Sequence, residues 1–417
     1  MASANVAVPY LGRLLDRQLS ALFRELPAVM VTGPRAAGKT TTAGRLARTV
    51  IRLDQPGQAA AFRADPDAAL GALAEPILLD EWQEVPEVLG AVRRAVDADG
   101  HPGRFILTGS VRADLKDHVW PGTGRIVRLQ MYGLTMREQL RRLQGETFLA
   151  RLAKADLSAF RLPSQVPTLP DYIALALRGG FPEPILKNFS EPVLRRWLVS
   201  YIDQLLTHDV PGLVRDPDRL RTFFDVMALN SAGVPTDATI RTAADVQYRT
   251  AERFETLLSD VFVLENVPAY ANNRLARLVK LPKRYIVDPA LVGASVGMDA
   301  AGMLGDPDLF GRLLDTFVMA QLRPELDLEA MPPRLYHLRD ANGRREVDIV
   351  SEHAATSITG IEVKATASPA KDDAKHLIYL RDELGDRFLA GAVLHTGPSA
   401  FELAPRIFAL PICSIWG

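Results

Sequence analysis

The sequence predicts an α/β protein in three parts. Residues 1–150 read as a parallel sheet clad in helices, residues 151–304 as a mainly helical segment, and residues 305–417 as a second α/β segment. Three observations predict this. In the first part, short apolar runs alternate with amphipathic helical stretches, the pattern of strands buried on both faces. In the middle, Gly and Pro punctuate helical stretches. From about Pro333 onward, apolar residues recur with period two. The length agrees, since 417 residues at one to two hundred per domain suit two or three domains.

The first element is a helix over Leu11–Leu26, whose Leu11, Leu14, Leu15, Leu19, Leu22 and Phe23 recur at three- and four-residue steps. Pro27 ends it, and a buried strand follows over Ala28–Thr32. A Gly-rich turn then leads to a helix from Lys39 to about Arg48. Ile77–Leu79 and Phe105–Leu107 read as two further buried strands, with a helix between them that starts at Pro86 and ends before Gly100. Helical stretches run from Pro170 to Val263, including Leu194–Thr207 and Ala251–Phe262, and a strand signal returns at Arg284–Val287. The period-two strands are Leu335–Leu338, Glu346–Val350, Ile358–Val363 and Ala390–His395, with a helix at Leu377–Leu384 before the last.

Composition excludes several classes. Hydrophobic residues make up 47% and charged residues 24%, an ordinary globular balance. Lys and Arg number 49 against 50 Asp and Glu, so there is no overall field to drive binding to nucleic acid or anionic membrane, and any such contact needs a local patch. The lone Cys413 excludes an intrachain disulfide, and the histidines are too scattered for a zinc cluster. Apolar stretches fall short of the roughly 18 residues of a membrane helix, and Arg13, Asp16 and Arg17 interrupt any signal-peptide core. The expectation is a soluble cytoplasmic protein without a membrane partner.

Gly33-Pro34-Arg35-Ala36-Ala37-Gly38-Lys39-Thr40, followed by Thr41, fits G-x-x-x-x-G-K-[ST] at every fixed position. Glycines at both ends let the loop fold back so that its N–H groups face a phosphate. Lys39 supplies a cation to the β- and γ-phosphates of a nucleotide such as ATP, Thr40 can ligate Mg²⁺, and the next helix presents its positive end. The strand Ile77-Leu78-Leu79 ends in Asp80-Glu81, which assigns Asp80 to Mg²⁺ and Glu81 to the attacking water. Thr108-Gly109-Ser110 ends the third strand, where the Ser110 hydroxyl either senses the γ-phosphate or caps a helix. Arg125, in a glycine-loosened loop, either neutralises charge on the transferred phosphoryl group, in cis or from a neighbouring subunit, or is a surface arginine.

Further residues extend the pattern. They are Tyr10 with Arg13, Leu53-Asp54, Asp65-Pro66, Trp82-Gln83, Gly124 before Arg125, and Gly133-Leu134-Thr135 with Glu138. Gly179-Gly180-Phe181-Pro182-Glu183, Trp197, Tyr201, Asp203 and Asp209 continue it. Together with the phosphate loop, these resemble the compact prokaryotic AAA-type P-loop ATPases that carry a C-terminal domain of unknown function. The resemblance spans nearly the whole chain and implies ATP binding and slow hydrolysis.

Ala228–Leu264 has the spacing of a helix-turn-helix, with one helix around Thr236–Ala244 and a second carrying Tyr248, Phe254, Leu257 and Leu258. Arg274, Arg277, Lys280, Lys283 and Arg284 fall within Asn266–Val287, a stretch without an acidic residue. In a winged-helix-like arrangement they decorate a wing and touch DNA phosphates; otherwise they solvate a hairpin.

In the C-terminal segment, alternation sets Asp348 apart from Val347 and Ile349, and sets Glu362 and Lys364 apart from Ile361 and Val363. Antiparallel pairing would bring Asp348, Glu362 and Lys364 to one point. Two carboxylates and a lysine suit metal-assisted phosphodiester hydrolysis, or merely pair charges on an exposed strand. The D…E-x-K spacing resembles the core of restriction-endonuclease-like folds. In that resemblance Asp315 takes the helix position usually held by a glutamate one methylene longer.

The expected function is therefore that of an ATP-binding, ATP-hydrolysing protein whose nucleotide state controls a C-terminal module that contacts nucleic acid or protein. An ATP-regulated, metal-dependent DNA nuclease and a non-catalytic nucleotide-loaded switch are the alternatives. Self-association stays open, because Arg125 acting in trans requires a second copy.

Overall fold

A computed structural model of the chain describes residues 10–110, 124–208, 216–271, 280–340 and 344–417. The chain forms two compact units. One comprises Met1–Leu134, Phe181–Leu186 and Leu258–Val263, and the other Thr135–Gly180, Lys187–Leu257 and Leu264–Gly417. The expected divisions near residues 150 and 305 both fall inside the second unit.

The first unit is built on a five-stranded sheet of β1 (Ala28–Thr32), β2 (Thr49–Arg52), β3 (Ile77–Asp80), β4 (Phe105–Gly109) and β5 (Ile126–Gln130), in the order β2-β3-β4-β1-β5. Every adjacent pair is parallel. β1, β3 and β4 are buried along their whole length, which is why their sequences are continuously apolar. One face packs Leu19 and Phe23 of the helix Leu15–Glu25 against Val31, Leu78 and Ile106. The other packs Val88, Leu89 and Val92 of the helix Val88–Ala98 against Met30, Leu79 and Leu107. Each such fully buried Leu, Val or Ile stabilises the fold by roughly 1.5–3 kcal/mol relative to exposure.

The register of this sheet places the site. Thr32 pairs with Gly109 and Asp80 with Thr108, so Gly33, Glu81 and Ser110 follow at one carboxyl edge. Ala28 pairs with Ile126, so Arg125 precedes β5 at the opposite edge. The helix after the phosphate loop is shorter than expected and spans Lys39–Gly44. It tightens through Arg45 N–H to Thr42 O and Leu46 N–H to Ala43 O, and Arg48 and Thr49 then donate to Pro76 O to start β2.

In the second unit, the helix Asp237–Ala243 is capped by Thr236, whose Oγ1 accepts from the Thr239 N–H. After the helix Tyr248–Asp260 comes an antiparallel pair, β6 (Leu264–Val267) and β7 (Lys283–Ile286). A six-stranded sheet follows, made of β8 (Arg334–Arg339), β9 (Glu346–Glu352), β10 (Ile358–Lys364), β11 (Phe388–His395), β12 (Phe401–Ala404) and β13 (Ile407–Pro411). Its order is β12-β13-β11-β10-β9-β8. β8, β9 and β10 pair antiparallel, and β10, β11 and β13 parallel. The helix Lys375–Leu384 makes the crossover from β10 to β11 and packs Leu377 and Leu380 with Val350, Ile358 and Phe388. Among the described residues, no helix is long and apolar enough to cross a membrane.

Candidate functional site

The loop from Gly33 to Lys39 has the backbone that its glycines foretold. Gly33 has φ +150°, and a Cβ there would lie 2.0 Å from the Met131 carbonyl oxygen. Gly38 has φ +94° and leads into the helix Lys39–Gly44. Ala36 also takes a left-handed φ, +58°. Pro34 and Ala37 are buried, whereas Arg35, Ala36 and Thr41 are exposed. The Lys39 ammonium lies inside the turn and donates to the carbonyls of Gly33 (3.0 Å) and Pro34 (2.8 Å).

β3 delivers the carboxylates as expected. Asp80 is buried, and its Oδ1 accepts from Thr40 Oγ1 (2.8 Å) and Thr108 Oγ1 (2.5 Å). Burial holds the Asp80 carboxyl above the usual carboxylate range, while both hydroxyls pull it back. Glu81 sits at φ +53°, a left-handed backbone that turns it out of the strand. Its Oε2 accepts from Ser110 Oγ at 3.0 Å and from the Gln83 amide. Ser110 therefore meets Glu81. Gly109 is needed beside them, since a Cβ would come within 2.7 Å of Gln83 Oε1 and Trp82 Nε1.

A glycine-rich loop, a lysine, a hydroxyl and a carboxylate make a hard-oxygen donor set that fits a nucleoside triphosphate with Mg²⁺. Arg13, which entered only through the resemblance and without an assigned role, belongs to the same cluster. Its Nη1 donates to the Ala37 carbonyl (2.8 Å) and its Nη2 to those of Tyr132 (2.7 Å) and Gly133 (3.2 Å). Its pairing with Tyr10 was the signal; the Tyr10 hydroxyl donates to Asp16 and meets Thr42 of the helix after the loop.

Arg125 is elsewhere. At the amino edge of β5 it pairs with Asp97, whose carboxyl the arginine holds below the usual range. A four-residue strand step from Ala28 to Thr32, about 13 Å, separates that edge from the loop. This separation favours the surface-arginine alternative over a role for Arg125 in cis.

The basic residues behind the helix-turn-helix also change meaning. Arg274 and Arg277 lie outside the described residues, and Lys280 is exposed. Arg284 is buried, donating to Glu255 Oε1 (3.0 Å) and Asp237 Oδ1 (2.7 Å), so it ties both helices to β7. Lys283 is buried between Asp315 Oδ2 (2.5 Å) and Asp348 Oδ1 (2.8 Å). Neither of these two is presented to a phosphate.

β9 and β10 pair Ile349 with Ile361 at the end of their register, and the Val363 N–H donates to Asp348 Oδ2 at 2.9 Å just beyond it. Lys364 Nζ lies 3.0 Å from Glu362 Oε2. Asp315 and Asp348 thus meet at Lys283, while Glu362 pairs with Lys364. Among the described residues, no group of three or more His, Cys, Asp or Glu side chains is placed to hold a metal. Burial pushes Asp315 up to about 6 against the pull of Lys283, and burial together with Asp348 pushes Glu362 up to about 7.

Comparison with known proteins gives three family matches along the chain. Residues 25–140 match a family described as an AAA domain. Residues 169–302 and 310–415 match two domains of unknown function, DUF8612 and DUF4143. The uncharacterized proteins Rv2008c of Mycobacterium tuberculosis and Mb2031c of Mycobacterium bovis are each 28% identical over 392 residues, covering 92% of this chain and 80% of theirs. The Walker-type ATPase PABY2304 of Pyrococcus abyssi is similar with 14% identity and a TM-score of 0.41, over 67% of this chain and 94% of that one. The AAA-domain match takes in the whole cluster from Gly33 to Ser110, and with that geometry it supports a P-loop ATPase in the N-terminal unit.

Proposed function

We propose that the protein binds ATP at Gly33–Thr41, hydrolyses it, and uses the nucleotide state to control a C-terminal half that contacts nucleic acid or protein. The observation that carries the reading is the convergence of Lys39, Thr40, Asp80 and Glu81 at one carboxyl edge of the sheet. Lys39 would exchange its carbonyl acceptors for phosphate oxygens. Thr40 and Asp80 would hold Mg²⁺, which when bound neutralises phosphate charge. Glu81 would orient a water for in-line attack on the γ-phosphorus as the bridging oxygen leaves with ADP.

Glu81 must first leave Ser110 and Gln83, which makes intrinsic turnover slow. The same hold favours a second reading, a nucleotide-loaded switch with little hydrolysis. Nucleotide that persists through purification, with negligible turnover, would establish it. Glu81→Gln is expected to keep ATP binding and to lower turnover by about a hundredfold; unchanged turnover contradicts the role of Glu81.

Arg13 supports the control arm. It links the Ala37 carbonyl of the loop to Tyr132 and Gly133, just before the chain enters the second unit at Thr135. A loop that reorients on phosphate therefore pulls on the connecting segment. Amide hydrogen exchange with and without Mg·ATP tests this. Protection is expected to change across 130–140 and to stay unchanged in Arg13→Ala; no change in the native protein beyond residue 110 contradicts it.

A further inference from the structure

The carboxylate centre of the second unit has a feature that its D…E-x-K spacing does not contain. A lysine ammonium stands between the two aspartates, with Lys283 Nζ at 2.5 Å from Asp315 Oδ2 and 2.8 Å from Asp348 Oδ1. The other aspartate oxygens also have donors. Tyr285 Oη donates to Asp315 Oδ1 at 3.1 Å, and the Val363 N–H donates to Asp348 Oδ2 at 2.9 Å. All four oxygens are thereby satisfied from within the chain.

A divalent ion bound to both aspartates would sit about 2.0–2.6 Å from their oxygens. That volume overlaps the ammonium, and two cations there would repel at close range beside the buried Lys283 and Asp315. Lys283 cannot easily swing aside. It is 1% exposed and lies within β7, whose approach is fixed by His337, with Nε2 at 3.0 Å from the Leu281 carbonyl and the His337 N–H donating to Pro268 O at 3.0 Å. Glu362 stands apart from these ion pairs, its Oε2 accepting from Lys364 Nζ at 3.0 Å.

We propose that Lys283 is the resident cation of this centre, occupying the place between Asp315 and Asp348 that a divalent metal would need. The native centre then takes no Mg²⁺ or Mn²⁺, and its carboxylates serve to lock β7, the helix Pro307–Leu326 and β9 together. Removal of the lysine turns the same carboxylates into a metal site.

The test is a Mn²⁺ titration of the full chain without nucleotide, followed by electron paramagnetic resonance of the free ion. All variants keep Thr40 and Asp80, so any Mn²⁺ at the phosphate loop is common to them. The native protein and Asp348→Asn are expected to give the same isotherm within twofold. Lys283→Ala is expected to gain a Mn²⁺ site at least tenfold tighter than any in the native protein, lost again in Lys283→Ala/Asp348→Asn. If Lys283→Ala does not fold by circular dichroism, Lys283→Met keeps the volume of the stem without the charge. A Mn²⁺ site in the native protein that Asp348→Asn abolishes overturns the proposal, and so does a folded Lys283 variant that gains none.

Discussion

Two buried lysines make the most instructive comparison in this molecule. Lys39 in the first unit and Lys283 in the second are 5% and 1% exposed, so accessibility does not distinguish them. Their acceptors do. Lys39 donates to the carbonyls of Gly33 and Pro34, which carry partial charge and belong to the loop that it serves. Lys283 donates to two carboxylates, the buried Asp315 and the partly buried Asp348, which carry full charge and have a further donor on their other oxygens. A polyphosphate can outcompete carbonyls for an ammonium, but nothing that reaches a dry interior outcompetes two carboxylates. Burial of a lysine thus says little about function until the charge of its partners is known.

The strongest way to break this comparison is to delete each ammonium and measure unfolding by denaturant. Lys283→Ala strands the buried Asp315 and the partly buried Asp348 and is expected to cost about 3–5 kcal/mol. Lys39→Ala removes the hydrogen bonds to the Gly33 and Pro34 carbonyls, a loss expected to cost about 1 kcal/mol. Equal costs would erase the distinction.

His337, which anchors the approach of β7, sharpens the comparison through pH. Burial disfavours its imidazolium and pushes its pKa down to about 4, with Lys283 and Arg339 adding to the shift. Between pH 6.5 and 4 the unfolded chain takes up a proton that the folded chain refuses. The stability that the neutral ring provides is therefore complete above pH 6.5 and lost as pH falls through that window. Native protein should lose on the order of 2 kcal/mol relative to His337→Gln across it; a difference that is flat with pH contradicts the buried neutral ring.

The smallest effect is expected at Arg125, at the edge of the sheet remote from Lys39. Arg125→Ala should leave ATP turnover within twofold, and a tenfold loss would mean that it reaches a loop on another copy.

The parts that sequence reveals and conceals differ for physical reasons. The Gly33–Thr40 loop was legible because its chemistry is carried by backbone, and Gly33 and Gly38 occupy conformations that other residues resist. Asp80-Glu81 was legible because β3 is buried along its whole length and the acids mark its end. The edge strands were not: β2 is only half-buried at alternate residues, and β5 carries Arg128, so neither shows a continuous apolar run.

Lys283 and Arg284 looked like surface cations because residues 266–287 contain no acid. Their partners Asp315, Asp348, Glu255 and Asp237 lie far away along the chain, where local charge counting cannot pair them. Arg125 stayed open between a phosphoryl contact and a surface arginine because a glycine-containing loop does not say which end of a strand it adjoins. Strand alternation drew Asp348, Glu362 and Lys364 together and the resemblance added Asp315, but the cation between the two aspartates comes from another strand, β7.

The most direct measurement is a calorimetric titration of the full chain with ATP in Mg²⁺, repeated with Lys39→Ala. The account predicts one Mg²⁺-dependent ATP per chain in the native protein and at least a hundredfold weaker binding in a folded Lys39→Ala. Native protein that takes up no ATP, or a Lys39→Ala variant that binds it as tightly, would contradict the assignment of the phosphate loop.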